Sequence, residues 1–152
     1  MNEDEKSKQR VGSKQQWYKG SVKYWDEQEP NYEGVLGGYG KVHPVDSDTS
    51  KMMIEEFKDR ISGFNSALDC GAGIGRIAKE VLKPTFDQVD ILEPSQTQIE
   101  EARVFFAEGR NFYQLGLQEF EYETKYDCVW IQWCLCYLTD TDLMEFLTKT
   151  KE

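Results

Sequence analysis

Three glycines at alternate positions, Gly71, Gly73 and Gly75, separate a short apolar segment from a stripe of apolar residues with helical spacing. The segment before them, residues 66–70, reads Ser-Ala-Leu-Asp-Cys and predicts a buried strand. After them, apolar side chains recur at intervals of three and four until Pro84, and these are Ile74, Ile77, Ala78, Val81 and Leu82. Because glycine allows positive φ values and close approach to the backbone, the order strand, glycine turn, helix predicts a ligand-binding turn.

The alternation of strand and helix continues along the chain. Further apolar segments predict strands at residues 88–92, 111–115 and 126–133. Ser95 with Gln98 has the spacing of a capping box for a helix, and Thr139 with Asp142 predicts the start of another. Such alternation favours parallel strands joined by right-handed crossovers. We therefore predict an α/β, Rossmann-like fold with N-terminal helices and an incomplete sheet of about four parallel strands.

Three regions differ in composition. Residues 1–14 are highly polar, and we expect them to form a flexible tail. Residues 15–63 are predicted to hold two helices around the glycine-rich segment 36–40, and residues 64–152 to form the Rossmann-like half. The first helix has a stripe of Trp17, Ser21, Tyr24 and Trp25. The second has an apolar face of Met53, Ile54, Phe57 and Ile61, an N-cap among residues 47–50 and an end at Gly63.

The charge and the count of metal-ligating side chains exclude several classes of function. The 152 residues carry 18 Lys and Arg against 28 Asp and Glu, a formal charge of −10, which argues against direct nucleic-acid binding. The longest apolar stretch, residues 128–138, is too short to span a membrane, and the polar first ten residues predict an intracellular protein. His43 is the single histidine and is expected at the surface, and Cys134 and Cys136 lack zinc-site spacing, so no metal site is predicted.

An acidic residue and a basic residue near the glycine turn narrow the choice of ligand. Glu93 lies 22 residues after Gly71, at the end of the next predicted strand, where a carboxylate can accept hydrogen bonds from ribose hydroxyls. A dinucleotide fingerprint needs a small residue at position 76, which is Arg76. S-adenosylmethionine (AdoMet) suits the turn better, because Asp69 could face its ammonium group and Arg76 its carboxylate. An NAD-dependent dehydrogenase is the weaker alternative.

Five segments together resemble the protein α-N-terminal methyltransferases, which are class I AdoMet-dependent enzymes that methylate the α-amine of proteins beginning X-Pro-Lys. The segments are residues 36–40 (LGGYG), 67–76 (ALDCGAGIGR), 116–118 (GLQ), 130–133 (WIQW) and 138–140 (LTD). The resemblance covers residues 17–150. It implies that AdoMet is bound by Gly71, Gly73, Arg76, Glu93, Pro94, Ser95, Leu117, Gln118 and Gln132. It implies that the N-terminal tails of protein substrates are bound by Trp25, Leu36, Gly37, Tyr39 and Trp133.

The sequence departs from this family at two points. Tyr137 occupies the position where family members usually carry His, and the family's catalytic Asp lies beyond the end of the chain, so no catalytic residue is assigned. We expect a C-terminally truncated chain whose missing strands would complete the sheet. Two hypotheses follow: a cytoplasmic or nuclear α-amine methyltransferase, or a non-catalytic AdoMet-binding scaffold that pairs with a related methyltransferase.

Overall fold

A four-stranded parallel sheet forms the centre of the computed structural model, which describes residues 13–151. The strands are β1 (Ser66–Cys70), β2 (Gln88–Leu92), β3 (Phe112–Tyr113) and β4 (Cys128–Ile131), in the spatial order β3-β2-β1-β4. The predicted α/β class and the parallel sheet of about four strands are confirmed. The chain moves from β1 outward to β3 and then returns to the other side of β1, so a topological switch point lies between β1 and β4, where open α/β sheets bind ligands.

The carboxyl ends of the four strands are aligned with one another across the sheet. Cys70 of β1 is paired with Leu92 of β2 and with Ile131 of β4, and Leu92 is paired with Tyr113 of β3. Each of these is the last residue of its strand. The four segments that follow the strands therefore start from the same edge of the sheet, and the site is built there.

Alternate strand residues bury opposite faces of the sheet. Ala67 and Val89 belong to one apolar cluster, whereas Leu68, Cys70 and Leu92 belong to another. The first cluster includes four of the five predicted helical residues after the glycine turn, namely Ile77, Ala78, Val81 and Leu82. The last three of these lie in a π-helix at Ala78–Leu82. The predicted stripe is confirmed, since its members are nearly inaccessible: Ile74, Ile77, Ala78, Val81 and Leu82.

The C-terminal elements follow the prediction with shorter strands. Helix α4 (Gln96–Phe105) is capped by the Ser95 hydroxyl, which accepts a hydrogen bond from the Gln98 N–H. Helix α5 (Asp140–Lys151) begins after Thr139, whose hydroxyl accepts from the Asp142 N–H. Strands β3 and β4 are shorter than the predicted segments, and all four residues of β4 are only half-buried. Strand β4 forms one edge of the sheet, and among the described residues it is hydrogen-bonded to β1 alone.

The N-terminal helix α1 (Lys14–Asp26) has no buried residue. It starts with a full capping box, in which Ser13 and Gln16 bond each other's backbone N–H. The predicted tail 1–14 lies outside the described residues as far as residue 12, whereas Lys14 is helical. Trp17 and Tyr24 of the predicted stripe are exposed. Polar contacts at its two ends, described below, therefore attach α1 to the rest of the fold.

The second predicted helix starts earlier than expected. After a short helix α2 (Tyr32–Val35) and a 3₁₀ turn (Gly40–Val42), helix α3 runs over His43–Phe57, followed by a 3₁₀ turn at Lys58–Arg60. The predicted N-cap among residues 47–50 is wrong, because Pro44 occupies the first turn, where its missing N–H costs nothing. Of the predicted apolar face Ile54 is buried, whereas Met53 and Phe57 are exposed.

Two kinds of feature are absent from residues 13–151. No helix in this range is long and apolar enough to cross a membrane. No group of three or more His, Cys, Asp or Glu side chains in this range is arranged to hold a metal ion.

Candidate functional site

A cavity of about 810 Å³ lies at the carboxyl ends of the strands. Its volume is in the range of small-molecule and cofactor sites, ~300–1,000 Å³. The wall is built by α1, by the glycine turn after β1, and by the segments that follow β2, β3 and β4. The cavity thus occupies the switch point that the strand order creates.

The glycine turn brings bare backbone to the cavity wall. Gly71, Gly73 and Gly75 have φ values of +66°, +56° and +78°. A Cβ atom at position 71 would lie 2.6 Å from the Cβ of Cys134, in the segment after β4. Glycine is therefore required at Gly71 both by conformation and by the close approach of the neighbouring segment.

Two buried carboxyl groups flank this turn. Glu93 accepts hydrogen bonds from the backbone N–H groups of Gly73, at 2.8 Å, and Ser95, at 2.9 Å. Asp69 accepts one from the Ala78 N–H at 3.0 Å. Burial raises the pKa of Glu93 to about 7, and burial also raises the pKa of Asp69 to about 7. Each carboxyl group can therefore change its charge near neutral pH.

Arg76 and Gln132 line the cavity and share one partner. The Arg76 Nη1 donates to Asp46 Oδ2 at 2.5 Å, and the Gln132 Nε2 donates to Asp46 Oδ1 at 2.7 Å. The Gln132 Oε1 accepts from the indole N–H of Trp130 at 2.8 Å. Side chains of the protein thus supply the partners that a half-buried amide in this strand end requires.

Comparison with known proteins assigns the family. The model of a family described as AdoMet dependent proline di-methyltransferase matches residues 13–152. The chain belongs to this family. An α-N-terminal protein methyltransferase 1 from Dictyostelium discoideum is 43% identical over 143 residues, covering 88% of this chain and 53% of the relative. The human N-terminal Xaa-Pro-Lys N-methyltransferase 1 is 37% identical over 149 residues, covering 93% of this chain and 67% of the relative.

A solved structure agrees with this assignment. A SAM-dependent methyltransferase from Leishmania major superposes with a TM-score of 0.83 at 36% sequence identity, over 89% of this chain and 55% of that one. The predicted class I methyltransferase fold, the family and its AdoMet dependence are confirmed. The chain spans about half to two thirds of the length of these relatives.

Most of the predicted cofactor residues meet at the cavity wall. Those that line it are Gly71, Gly73, Arg76, Glu93, Pro94, Leu117, Gln118 and Gln132. Ser95 does not line the cavity: its hydroxyl donates to Asp26 Oδ1 at 2.6 Å while its N–H binds Glu93. Ser95 can therefore affect a ligand only indirectly, by holding the Glu93 side chain in position.

The predicted substrate residues are divided between two places. Trp25 and Trp133 line the cavity, whereas Leu36, Gly37 and Tyr39 do not. Trp133 follows β4 directly, is 76% exposed and has a φ of +63°, a conformation that costs a bulky residue energy. Tyr39 is also exposed. Two tryptophans thus form an aromatic part of the cavity, and the glycine-rich segment lies outside it.

Tyr137, at the family's usual His position, also lines the cavity. Burial raises the pKa of Tyr137 above its ordinary value near 10, so the phenol stays protonated at neutral pH. Its ring meets that of Trp25 edge to face at a centroid distance of 6.2 Å. The phenol can hydrogen-bond a ligand there, but it is unsuited to accept a proton at neutral pH.

The prediction that His43 is a surface residue is wrong. Its side chain is buried at the start of α3, stacked on the Tyr32 ring at a centroid distance of 4.0 Å. The His43 Nε2 lies 3.0 Å from Glu80 Oε2, and the Tyr32 hydroxyl donates to the other Glu80 oxygen at 2.6 Å. Glu80 supplies the polar partner that allows the imidazole to be buried.

The contacts through which carboxylates attach α1 were not predicted from the sequence. At one end, Asp142 accepts from the Lys14 Nζ and the Tyr18 hydroxyl, both at 2.5 Å. At the other end, Asp26 of α1 accepts from the hydroxyl of Ser95. The Gln98 amide N–H also donates to the backbone carbonyl of Trp25 at 3.0 Å. One side of α1 lines the cavity, so these contacts hold it in place as a wall.

Proposed function

We propose that this cavity binds AdoMet through the glycine turn and the carboxylate after β2. The observation that carries the proposal is the buried Glu93 carboxyl group, which bonds the N–H of Gly73 and lies beside backbone free of side chains. An ionised carboxylate at the end of the second strand can accept both ribose hydroxyls of an adenosine. Ser95 supports this carboxylate from the other side.

The other wall residues suit the remaining parts of the cofactor. Asp69 and Arg76 carry the opposite charges that a zwitterionic methionine tail requires. Leu117 and Gln118, after β3, offer an apolar side chain and an amide for the adenine ring. Pro94 and Gln132 complete the proposed set. Bound AdoMet supplies an electrophilic methyl group on a sulfonium, and the protein's task is to align an amine with it.

The substrate we propose is the α-amino group of protein N-terminal tails of the X-Pro-Lys type. The human relative is an N-terminal Xaa-Pro-Lys N-methyltransferase and the Dictyostelium discoideum relative is an α-N-terminal protein methyltransferase, which supports this class of substrate. Trp25 and Trp133 offer flat apolar surfaces for a proline ring, and Leu36, Gly37 and Tyr39 form a glycine-rich surface strap for the following residues. An α-amine has a pKa of about 7.7–8.0, so part of it is neutral at physiological pH without a strong base.

We infer that the protein acts in the cytoplasm or the nucleus. All four cysteines are free, and one of them, Cys136, is exposed. Free exposed thiols suit a reducing compartment, where disulfides are rare.

Transfer of label from radioactive AdoMet to a synthetic X-Pro-Lys peptide tests the proposal. We expect label on the free peptide and none on its N-acetylated form, because acetylation blocks the α-amine and leaves the Lys side chain available. Label on both peptides would indicate side-chain methylation instead. Cofactor binding without transfer to either peptide would favour the scaffold hypothesis, with co-purification of an active methyltransferase as its own test.

A further inference from the structure

Asp46 lies outside the cavity and accepts hydrogen bonds from two residues that line it, Arg76 and Gln132. It belongs to the first turn of α3, whereas Arg76 follows the glycine turn and Gln132 follows β4. Each of its oxygens accepts a hydrogen bond from one of them, at 2.5 and 2.7 Å. Arg76 and Gln132 line the cavity and Asp46 does not. One carboxylate of a third element therefore controls the position of two side chains on the wall.

The remaining contacts orient the Gln132 amide. Its Oε1 accepts from the Trp130 indole at 2.8 Å and from the Ser50 hydroxyl at 3.3 Å. Because donors occupy the oxygen, the amide nitrogen must face Asp46, and it keeps one further N–H. The amide therefore offers a ligand a donor and no free acceptor.

Arg76 is held in a similar way. Its side chain is 8% exposed, and Asp46 is the carboxylate paired with its Nη1. His43 Nδ1 lies 3.4 Å from the same nitrogen. A guanidinium has five N–H donors, so this pair leaves donors on Nε and Nη2 for a ligand. Both side chains thus present N–H groups whose directions are set before a ligand arrives.

We propose that Asp46 is a positioning residue that fixes Arg76 and Gln132 as a pair of donors for the carboxylate of the cofactor's methionine tail. The proposal rests on the proposed function, since it assumes that AdoMet binds in this cavity. A side chain held in its binding geometry loses less conformational freedom when a ligand binds. Without Asp46, the buried guanidinium would also lose the carboxylate to which it is hydrogen-bonded, so its charge would be less compensated and its position less fixed.

An opposing effect predicts the reverse result. The negative charge of Asp46 partly neutralises Arg76 and repels an anionic ligand group, so its removal could strengthen binding. Positioning outweighs repulsion here because Arg76 is almost fully buried and Asp46 is the carboxylate that is hydrogen-bonded to its guanidinium. The sign of the change in affinity distinguishes the two effects.

Calorimetric titration of Asp46→Asn with two nucleosides tests the proposal. S-adenosylhomocysteine has the amino-acid tail, and 5′-methylthioadenosine lacks it. We expect the variant to bind S-adenosylhomocysteine about tenfold more weakly, as for a lost hydrogen bond to a charged group, and 5′-methylthioadenosine within about twofold of wild type. Asp48→Asn is the matched control, since Asp48 lies on the same helix, is exposed and pairs with Lys51. It should bind both nucleosides as wild type does.

Three results would overturn the proposal. Equal loss of affinity for both nucleosides would show that Asp46 only supports the fold, and unchanged or tighter binding of S-adenosylhomocysteine would show that repulsion dominates. If wild type binds neither nucleoside, the proposed cofactor site itself fails. If Asp46→Asn does not fold, Asp46→Glu keeps the charge and displaces the carboxylate by one methylene, and the same selective loss is expected of it.

Discussion

The buried carboxyl group of Glu93 makes the stability of this protein depend on pH. Burial raises its pKa to about 7 from an ordinary value of 4.5. A carboxyl group whose pKa is higher in the folded state binds its proton more tightly there. Its contribution to stability is complete below about pH 4.5 and is lost as the pH rises through about 7. Asp69, whose pKa burial also raises to about 7, acts in the same direction.

Replacing Glu93 with Gln isolates one of these contributions. Between about pH 5.0 and about pH 6.5, the wild-type side chain is mostly protonated when folded and mostly ionised when unfolded, so the free energy of unfolding falls by about 1.4 kcal/mol per pH unit. Over this window the loss is roughly 1.5–2 kcal/mol. Gln cannot titrate. The difference in unfolding free energy between Glu93→Gln and wild type should therefore move by that amount in favour of the variant.

Urea unfolding of both proteins at a series of pH values measures this difference. Glu108→Gln, at an exposed position, is the control and should show a constant offset from wild type. A constant offset for Glu93→Gln as well would refute the reasoning. It would mean that the two N–H donors from Gly73 and Ser95 keep the carboxylate ionised despite its burial.

Four further outcomes are expected. Gly71→Ala should abolish binding of S-adenosylhomocysteine in a calorimetric titration, because alanine cannot adopt the turn. Gly20 lies in open space within α1, so Gly20→Ala should instead raise the free energy of unfolding by ~0.4–1 kcal/mol. Affinity for S-adenosylhomocysteine should rise between about pH 6 and pH 8 as Glu93 ionises to accept the ribose hydroxyls, and a flat profile would contradict this. Trp133→Asn should raise the peptide KM severalfold without lowering the Tm, because Asn tolerates a positive φ. An unchanged KM would remove Trp133 from the substrate site.

The parts of the fold that depend on local pattern could be predicted from the sequence. Apolar periodicity identified the buried stripe after the glycine turn, and the Ser95 cap fixed the start of α4 to within a residue. The alternation of strand and helix then placed Gly71, Glu93 and Gln132 at one edge of the sheet. This inference needs no knowledge of side-chain contacts, because parallel strands bring their carboxyl ends together.

The parts that depend on distant partners could not be predicted. Asp46 lies in a polar run that resembles a helix cap, and its partners Arg76 and Gln132 are 30 and 86 residues away. His43 is buried because Glu80, 37 residues away, meets its ring nitrogen. A single polar residue has no sequence signal for such pairing, and the missed residues are therefore those that connect α1 and α3 to the rest of the fold.

Helix α1 closes the cavity without contributing to the apolar core. None of its residues is buried, and carboxylates hold its ends: Asp142 contacts Lys14 and Tyr18, and Asp26 contacts Ser95. Its departure would therefore break polar contacts and leave both apolar clusters intact. Of these contacts only Lys14–Asp142 joins two charges, and its carboxylate is buried, so salt in the surroundings would weaken this attachment less than that of an ion pair at the surface.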